Sequence, residues 1–172
     1  MKKIILIGSG GSGKSTLARR LGENLKIPVY HLDALFWKPN WVGVPKDKQI
    51  TIQNDLIKKD GWIIDGNYGG TMDIRLNAAD TIIFLDLPRH ICIYRSFKRI
   101  IHHRNQARPD MGEGCEERFS FTFFKWIWEY PNTKKPIILN KLKQVSDEKE
   151  IIILKSTREI EKFLEDSKTY SK

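Results

Sequence analysis

Short apolar runs alternate along the chain with longer amphipathic stretches. The runs at 3–7, 29–32, 62–65, 81–86 and 151–154 are rich in Ile and Leu and show little polar alternation. Strands covered on both faces read this way, so the pattern predicts an α/β fold: a parallel sheet with helices on both sides. Between the first two runs, Leu17, Leu21 and Leu25 recur every fourth position beside Ala18, one apolar helix face that Pro28 closes off. A polar helix is predicted over 46–59, ended by Gly61. Pro88 opens another, with Ile91, Tyr94, Ile100 and Ile101 inward. Residues 105–117 contain Pro109, Gly112 and Gly114 without periodicity and read as a loop. The stretch 119–130 is dense in aromatics, read as helix packing. Pro136 begins a helix with Ile138, Leu142 and Val145 inward, and 158–164 forms a last one. No repeat, low-complexity segment or long linker divides the chain, so 1–172 reads as a single domain.

Composition narrows this picture without redirecting it. In 172 residues, 40% hydrophobic and 30% charged, there is enough apolar material for one core. No apolar run approaches the roughly 20 residues of a membrane-spanning helix. Ile4 to Ile7, after Met1-Lys2-Lys3, is too short for a signal peptide. A cytoplasmic protein with no membrane partner is expected. Cys92 and Cys115 are too few for a disulfide framework. Cys115 lies near His102 and His103, but a structural zinc needs further ligands that the sequence does not supply. The net charge of +9 with a pI near 9.5 favours polyanionic ligands. From 89 to 108 there is no acidic residue, while Arg89, Arg95, Lys98, Arg99, Arg104 and Arg108 are all basic.

The sharpest motif is Gly8-Ser9-Gly10-Gly11-Ser12-Gly13-Lys14-Ser15, followed by Thr16, between a predicted strand and a predicted helix. Glycines let successive backbone N–H groups turn toward phosphate oxygens, and the helix that follows adds the positive end of its dipole. In this pattern Lys14 reaches the β- and γ-phosphates and the Ser15 hydroxyl ligates Mg²⁺. A guanine-specifying Asn-Lys-x-Asp motif is absent and the chain is short for an oligomeric motor. The expectation is a small kinase that uses ATP and Mg²⁺.

Ligands of open parallel sheets gather at the carboxyl ends of the strands. Asp65 ends the third predicted strand and suits the metal-holding role. Asp33 follows the second and is a candidate base for an acceptor hydroxyl, or a second Mg²⁺ contact. Asp86 reads as the cap of the helix opened by Pro88. An acceptor side is expected over about 33–60, with Trp37, beside Phe36 and Trp41, lining its pocket. Arg95 and Arg99, four apart, share a helix face. Arg104, Arg108 and Arg118 flank the glycine-containing loop, so 104–118 reads as a mobile lid, with Arg99 and Arg108 meeting the transferred phosphate.

Together these residues resemble the nucleoside monophosphate kinase and shikimate kinase group of P-loop kinases. The phosphate loop, Ile64-Asp65-Gly66 and Leu85-Asp86-Leu87-Pro88 follow the order and spacing of adenylate kinase-like proteins. The resemblance implies a three-layer fold, a five-stranded parallel core in the order 2-3-1-4-5 and a mobile lid. It places Arg95 and Arg99 at lid-entry positions that contact adenine and phosphate, and Lys155-Ser156-Thr157 at an adenine-contacting loop. Tyr30-His31-Leu32-Asp33, with Asp65-Gly66-Asn67-Tyr68 and Arg75-Leu76, is similar to bacterial proteins called DNA topology modulation protein.

Two departures from adenylate kinases bear on the acceptor. Asn67, Tyr68 and Gly69 stand where those enzymes carry Phe-Pro-Arg, whose arginine grips the acceptor phosphate; Arg75 is expected to compensate in part. Asp33 takes the second place of shikimate kinase's Asp-x-Asp, with His31 at the first. A phosphate acceptor is already nucleophilic, whereas a hydroxyl benefits from a base, so Asp33 points to a hydroxyl. The reading is a kinase, monomeric or homodimeric, that phosphorylates a nucleoside, nucleotide or other small metabolite. Its rivals are an ATP-regulated DNA-binding protein that modulates topology and a simple P-loop ATPase. No helix-turn-helix, zinc-finger or basic-zipper pattern accompanies the charge, so nucleic acid is expected to be at most a weak partner.

Overall fold

The computed structural model describes residues 1–103, 110–116 and 118–171. In chain order the elements are β1 (Lys3–Gly8), α1 (Lys14–Leu25), β2 (Val29–His31), α2 (Leu32–Phe36), β3 (Trp37–Lys38), β4 (Val42–Gly43), α3 (Lys46–Ile57), β5 (Trp62–Asp65), α4 (Met72–Ala78), β6 (Thr81–Leu85), α5 (Arg89–His102), α6 (Phe121–Thr133), α7 (Lys135–Val145), β7 (Glu150–Leu154) and α8 (Thr157–Ser167). Five strands form one parallel sheet in the order β2-β5-β1-β6-β7, while β3 and β4 make a separate antiparallel hairpin. Numbered within the large sheet alone, the order is 2-3-1-4-5.

Alternate side chains of each strand leave the sheet on opposite faces, and both faces are covered. On one, Ile5, Ile7, Ile64 and Phe84 pack with Phe36, Leu56, Leu76 and Ile138 from α2, α3, α4 and α7. On the other, Ile4, Leu6, Ile63 and Ile83 pack with Leu17, Leu21, Cys92, Ile160 and Leu164 from α1, α5 and α8. This accounts for the near-continuous apolar runs, since each buried Ile or Leu contributes about 1.5–3 kcal/mol only while helices keep water off both sides. The register sets Leu6 beside Asp65 and Gly8 beside Leu85, so the first strand delivers its loop between two other strand ends.

Several boundaries differ from the sequence reading. The second strand stops at His31, and Leu32, fully buried, opens α2 instead. Burial alone cannot tell a strand residue from one in a short helix. Helix α4, with Met72 and Leu76 inward, and the β3–β4 hairpin are too short to leave a periodic signal. Asp86 does not cap α5; it pairs with Lys135 at 2.7 Å, and Pro88 takes the N-cap position without a side-chain cap. Ile127 and Tyr130 are the buried residues of α6, whereas Phe119, Phe121 and Trp128, read as packing residues, stand 61%, 75% and 52% exposed.

The predicted lid is described only in part. Residues 104–109 and 117 lie outside the described residues, and Arg104 and Arg108 with them. The described part, 110–116, is fastened down, with Met111 and Cys115 buried. Cys115 Sγ donates to the Lys38 carbonyl at 3.1 Å, and the Asn40 N–H donates to the Gly114 carbonyl at 3.1 Å. A Cβ on Gly112 would lie 2.6 Å from the Trp37 carbonyl, so only glycine allows this approach. This stretch is therefore docked on the β3–β4 hairpin rather than loose.

Candidate nucleotide and phosphotransfer site

The loop between β1 and α1 wraps as a phosphate cradle must. Gly13 occupies the N-cap of α1 at φ 96. Gly11 sits at φ 71, where a Cβ would lie 2.2 Å from the Cys92 carbonyl; α5 thus presses the loop from behind. The N-terminal N–H groups of α1 are left for an anion. Residues 10–16 line a cavity of about 1100 Å³, whose wall also includes Asp33, Asp65, Trp37, Arg95 and Arg99. Gly8 and Ser9 lie outside its lining, Ser9 being almost wholly buried.

Lys14 Nζ donates to the Ser9 carbonyl at 2.8 Å. Burial pulls its ammonium below the ordinary lysine value, while Asp65 and then Asp33 act in the opposite direction. Both carboxylates therefore bear electrostatically on this lysine, although they arise from different strand ends.

Ser15 Oγ donates to Asp65 Oδ2 at 2.7 Å, and His31 Nδ1 lies 3.0 Å from the same oxygen. Burial works against charge on His31, but hydrogen bonding and attraction from Asp65 outweigh it and raise its value. Asp65 is only 4% exposed, and its other oxygen, Oδ1, is buried without a hydrogen-bond partner among the described residues. Such an atom requires an explanation. A hydroxyl and a carboxylate, both hard oxygen donors, suit Mg²⁺, which binds one or two protein oxygens and completes its shell with phosphate and water. No group of three or more His, Cys, Asp or Glu placed to hold a metal occurs among the described residues, so such an ion would depend on ligand oxygens. The residues present fit Mg²⁺ arriving with a nucleotide.

Across the cavity, the Tyr68 hydroxyl donates to Asp33 Oδ1 at 2.7 Å. Burial first, and the Asp33 charge second, push the Tyr68 phenol far above its ordinary value, so it remains a neutral donor; a Trp37 hydrogen bond acts the other way. Tyr68 has φ 28, a conformation that bulky residues rarely adopt. Its ring packs edge-on against Phe36 at 4.7 Å. Trp37 meets Trp41 at 5.8 Å, and the Arg118 guanidinium lies 5.3 Å from the Trp41 ring centre.

The arginines divide. Arg95 donates to the Ser12 carbonyl at 3.3 Å and to Thr157 Oγ1 at 2.7 Å, joining the phosphate loop to the start of α8. Arg99 lies 5.7 Å from the centre of the Phe123 ring and lowers the Lys14 value electrostatically. Arg108 lies outside the described residues. Arg75 is not brought to the cavity. At 1% exposure, it donates to the Gln53 side chain and, at 3.2 and 3.0 Å, to the carbonyls of Gly66 and Asn67. Desolvation lowers its value to about 10. Asn67, for which the sequence predicts no role in the site, uses its amide to hold both backbone groups of Gly8. The Asp-Gly-Asn run after a strand marks the right place, but no local pattern shows that pairing.

A phosphate loop after the first strand of a 2-3-1-4-5 parallel sheet defines the P-loop kinase fold. Among solved structures, the chain is similar to shikimate kinase from Acinetobacter baumannii in complex with shikimate. The match covers 96% of this chain and 90% of that one, with TM-score 0.61 and 14% identity. At this identity the likeness speaks for the fold. No protein-family model and no curated protein sequence matches the chain. Among the described residues, no helix is long and apolar enough to cross a membrane.

Proposed function

We propose that the chain is an ATP- and Mg²⁺-dependent kinase that phosphorylates the hydroxyl of a small molecule. One observation carries this reading: Asp33, held by Tyr68, shares a cavity with Lys14 and the Ser15–Asp65 pair. A nucleoside triphosphatase acting on water needs the second group of residues. The first serves an acceptor.

In this reading the phosphate loop and the α1 N-terminus bind the triphosphate, and Lys14 leaves the Ser9 carbonyl for the β- and γ-phosphates. Ser15 and Asp65 would hold Mg²⁺, which supplies charge neutralisation on the phosphate oxygens. The acceptor oxygen forms the new bond to the γ-phosphorus as the bond to the ADP oxygen breaks, and the acceptor proton passes to the Asp33 carboxylate. Tyr68 keeps that carboxylate aimed. Arg99 adds positive charge at the moving group, and Arg95 and Thr157 stand on the base side. Trp37 and Trp41 flank the acceptor.

The test is a screen of hydroxyl acceptors with purified protein, following ADP release, in parallel with Lys14→Ala. Acceptor-dependent ADP release that is lost in the variant is the expected result. Near-normal turnover by Lys14→Ala, or release that no acceptor stimulates, would sink the reading.

A further inference from the structure

A second cavity, of about 510 Å³, adjoins the first, and Asn67, Tyr68 and Trp126 line both. These side chains form a shared wall. One side faces Asp33 and the phosphate loop, while the other faces the junction of α6 and α7.

The far side carries a particular chemistry. Lys134, Ile137, Ile138 and Lys141 line it, and their spacing of three, four and seven places them on one helical face. Outside the lining, the Lys46 ammonium lies 3.6 Å from where a Cβ on Gly70 would be. Two acids stand nearby: Asp73 pairs with Lys141, and Asp86, paired with Lys135, bears electrostatically on Tyr130. Two ammonium groups, those of Lys134 and Lys141, therefore line the space. Tyr130, only 4% exposed, lines the same cavity, and its hydroxyl has no hydrogen-bond partner among the described residues. A buried hydroxyl left this way is unfavourable unless something supplies an acceptor oxygen. The Trp126 and Tyr68 rings, with Met72, give the cavity an apolar middle.

We propose that this cavity is a subsite for an acidic group, a carboxylate or a phosphate, joined through a planar or apolar body to the hydroxyl that is phosphorylated. The proposal rests on the kinase reading for the identity of the ligand as acceptor, but not for the anion site itself. Lysines and a phenol recognise an anion by charge and a single hydrogen bond rather than by a bidentate fork. An acidic acceptor also suits a chain of this net charge.

The experiment uses the full chain with ADP and Mg²⁺ present, titrated by calorimetry with benzoate, phenyl phosphate and the uncharged benzamide. At least one anion should bind roughly tenfold or more tightly than benzamide, and whichever binds tighter identifies the acidic group. Lys134→Ala should weaken that binding several-fold and leave ADP affinity unchanged. Tyr130→Phe should weaken it without lowering the melting temperature, because it removes an unsatisfied group. Equal affinity for benzamide, no binding, or anion binding untouched by both variants overturns the proposal. Within the acceptor screen, acidic hydroxyl compounds should outperform their amides, with a KM increase in Lys134→Ala. If anions bind as expected but no compound accepts phosphate, the kinase reading falls and the anion site stands. If only uncharged acceptors turn over, the kinase stands and the subsite falls.

Discussion

The side-chain amide of Asn67 closes on the backbone of Gly8 from both directions, accepting from its N–H at 3.1 Å and donating to its carbonyl at 2.7 Å. The two residues are fifty-nine positions apart. The pairing imitates one rung of a sheet and fixes the point where β1 becomes the phosphate loop. Asn67→Ala should loosen the entrance to the loop and leave the two Gly8 groups unsatisfied. An increase in KM for ATP of about tenfold is expected, near the 1–2 kcal/mol of one or two lost hydrogen bonds. Steady-state kinetics together with a melting curve measures both. Unchanged ATP kinetics would make the contact irrelevant to the site.

The two carboxylates should separate in kinetics. Asp33→Asn should lower kcat by about 10²–10⁴ while sparing ATP affinity, and Tyr68→Phe should lower kcat less. Asp65→Asn should instead weaken Mg²⁺-dependent nucleotide binding, read by titration with and without the metal. Equal losses of ATP affinity in Asp33→Asn and Asp65→Asn would show that Asp33 belongs to the nucleotide side.

Arg75 should behave as a structural residue. Replacing it with Met leaves Gln53 and the carbonyls of Gly66 and Asn67 without their donor, a loss on the order of 2–4 kcal/mol. Urea unfolding should show a lower midpoint, with acceptor selectivity unchanged in the protein that remains folded. A stable variant with altered acceptor preference would return Arg75 to the acceptor.

Asp80 gives a pH test away from the site. Partial burial acts to raise its carboxyl. The hydrogen bonds from Thr81 Oγ1 at 2.7 Å and from the N–H groups of Lys3 and Lys2 at 2.9 and 2.8 Å prevail and hold it below the usual range. A depressed folded value contributes stability above the unfolded value, about 3.9, and loses it as pH falls through the folded one. Because the group is largely exposed, the effect is about 1 kcal/mol or less. Wild type should unfold at higher urea than Asp80→Asn at pH 7, and the gap should close toward pH 3.

Nucleic acid should bind weakly. Part of the basic run is already engaged inside the molecule: Arg95 on the phosphate loop, Arg99 toward Phe123, and Arg89 stacked 3.8 Å from the Trp128 ring centre. Duplex binding should fall with salt by about −0.9 in log affinity per phosphate contact and be competed by ATP. Tight binding to a defined site at physiological salt, indifferent to ATP and to Lys14→Ala, would favour the DNA-binding alternative.

By itself, the sequence determined what depends on contiguous residues. The phosphate loop is a run of neighbours, and its chemistry lies in backbone N–H groups that only such a run can present. The five strands were legible because burial on both faces makes each a short apolar block, and the strand-end position of Asp65 followed. Tertiary structure decided everything that joins distant positions. Tyr68 meets Asp33 across thirty-five residues, and the backbone of Tyr68 takes a disfavoured conformation that neither residue announces. Arg75 reads as an acceptor-binding cation in the sequence; only the packing of α3 and α4 around it makes it a buried clasp. Segment 110–116 reads as a loop because glycine and proline erase periodicity, yet contacts with residues 37–40 anchor it. Periodicity records how one segment divides water from core, and it holds no information about which other segment lies on the far side.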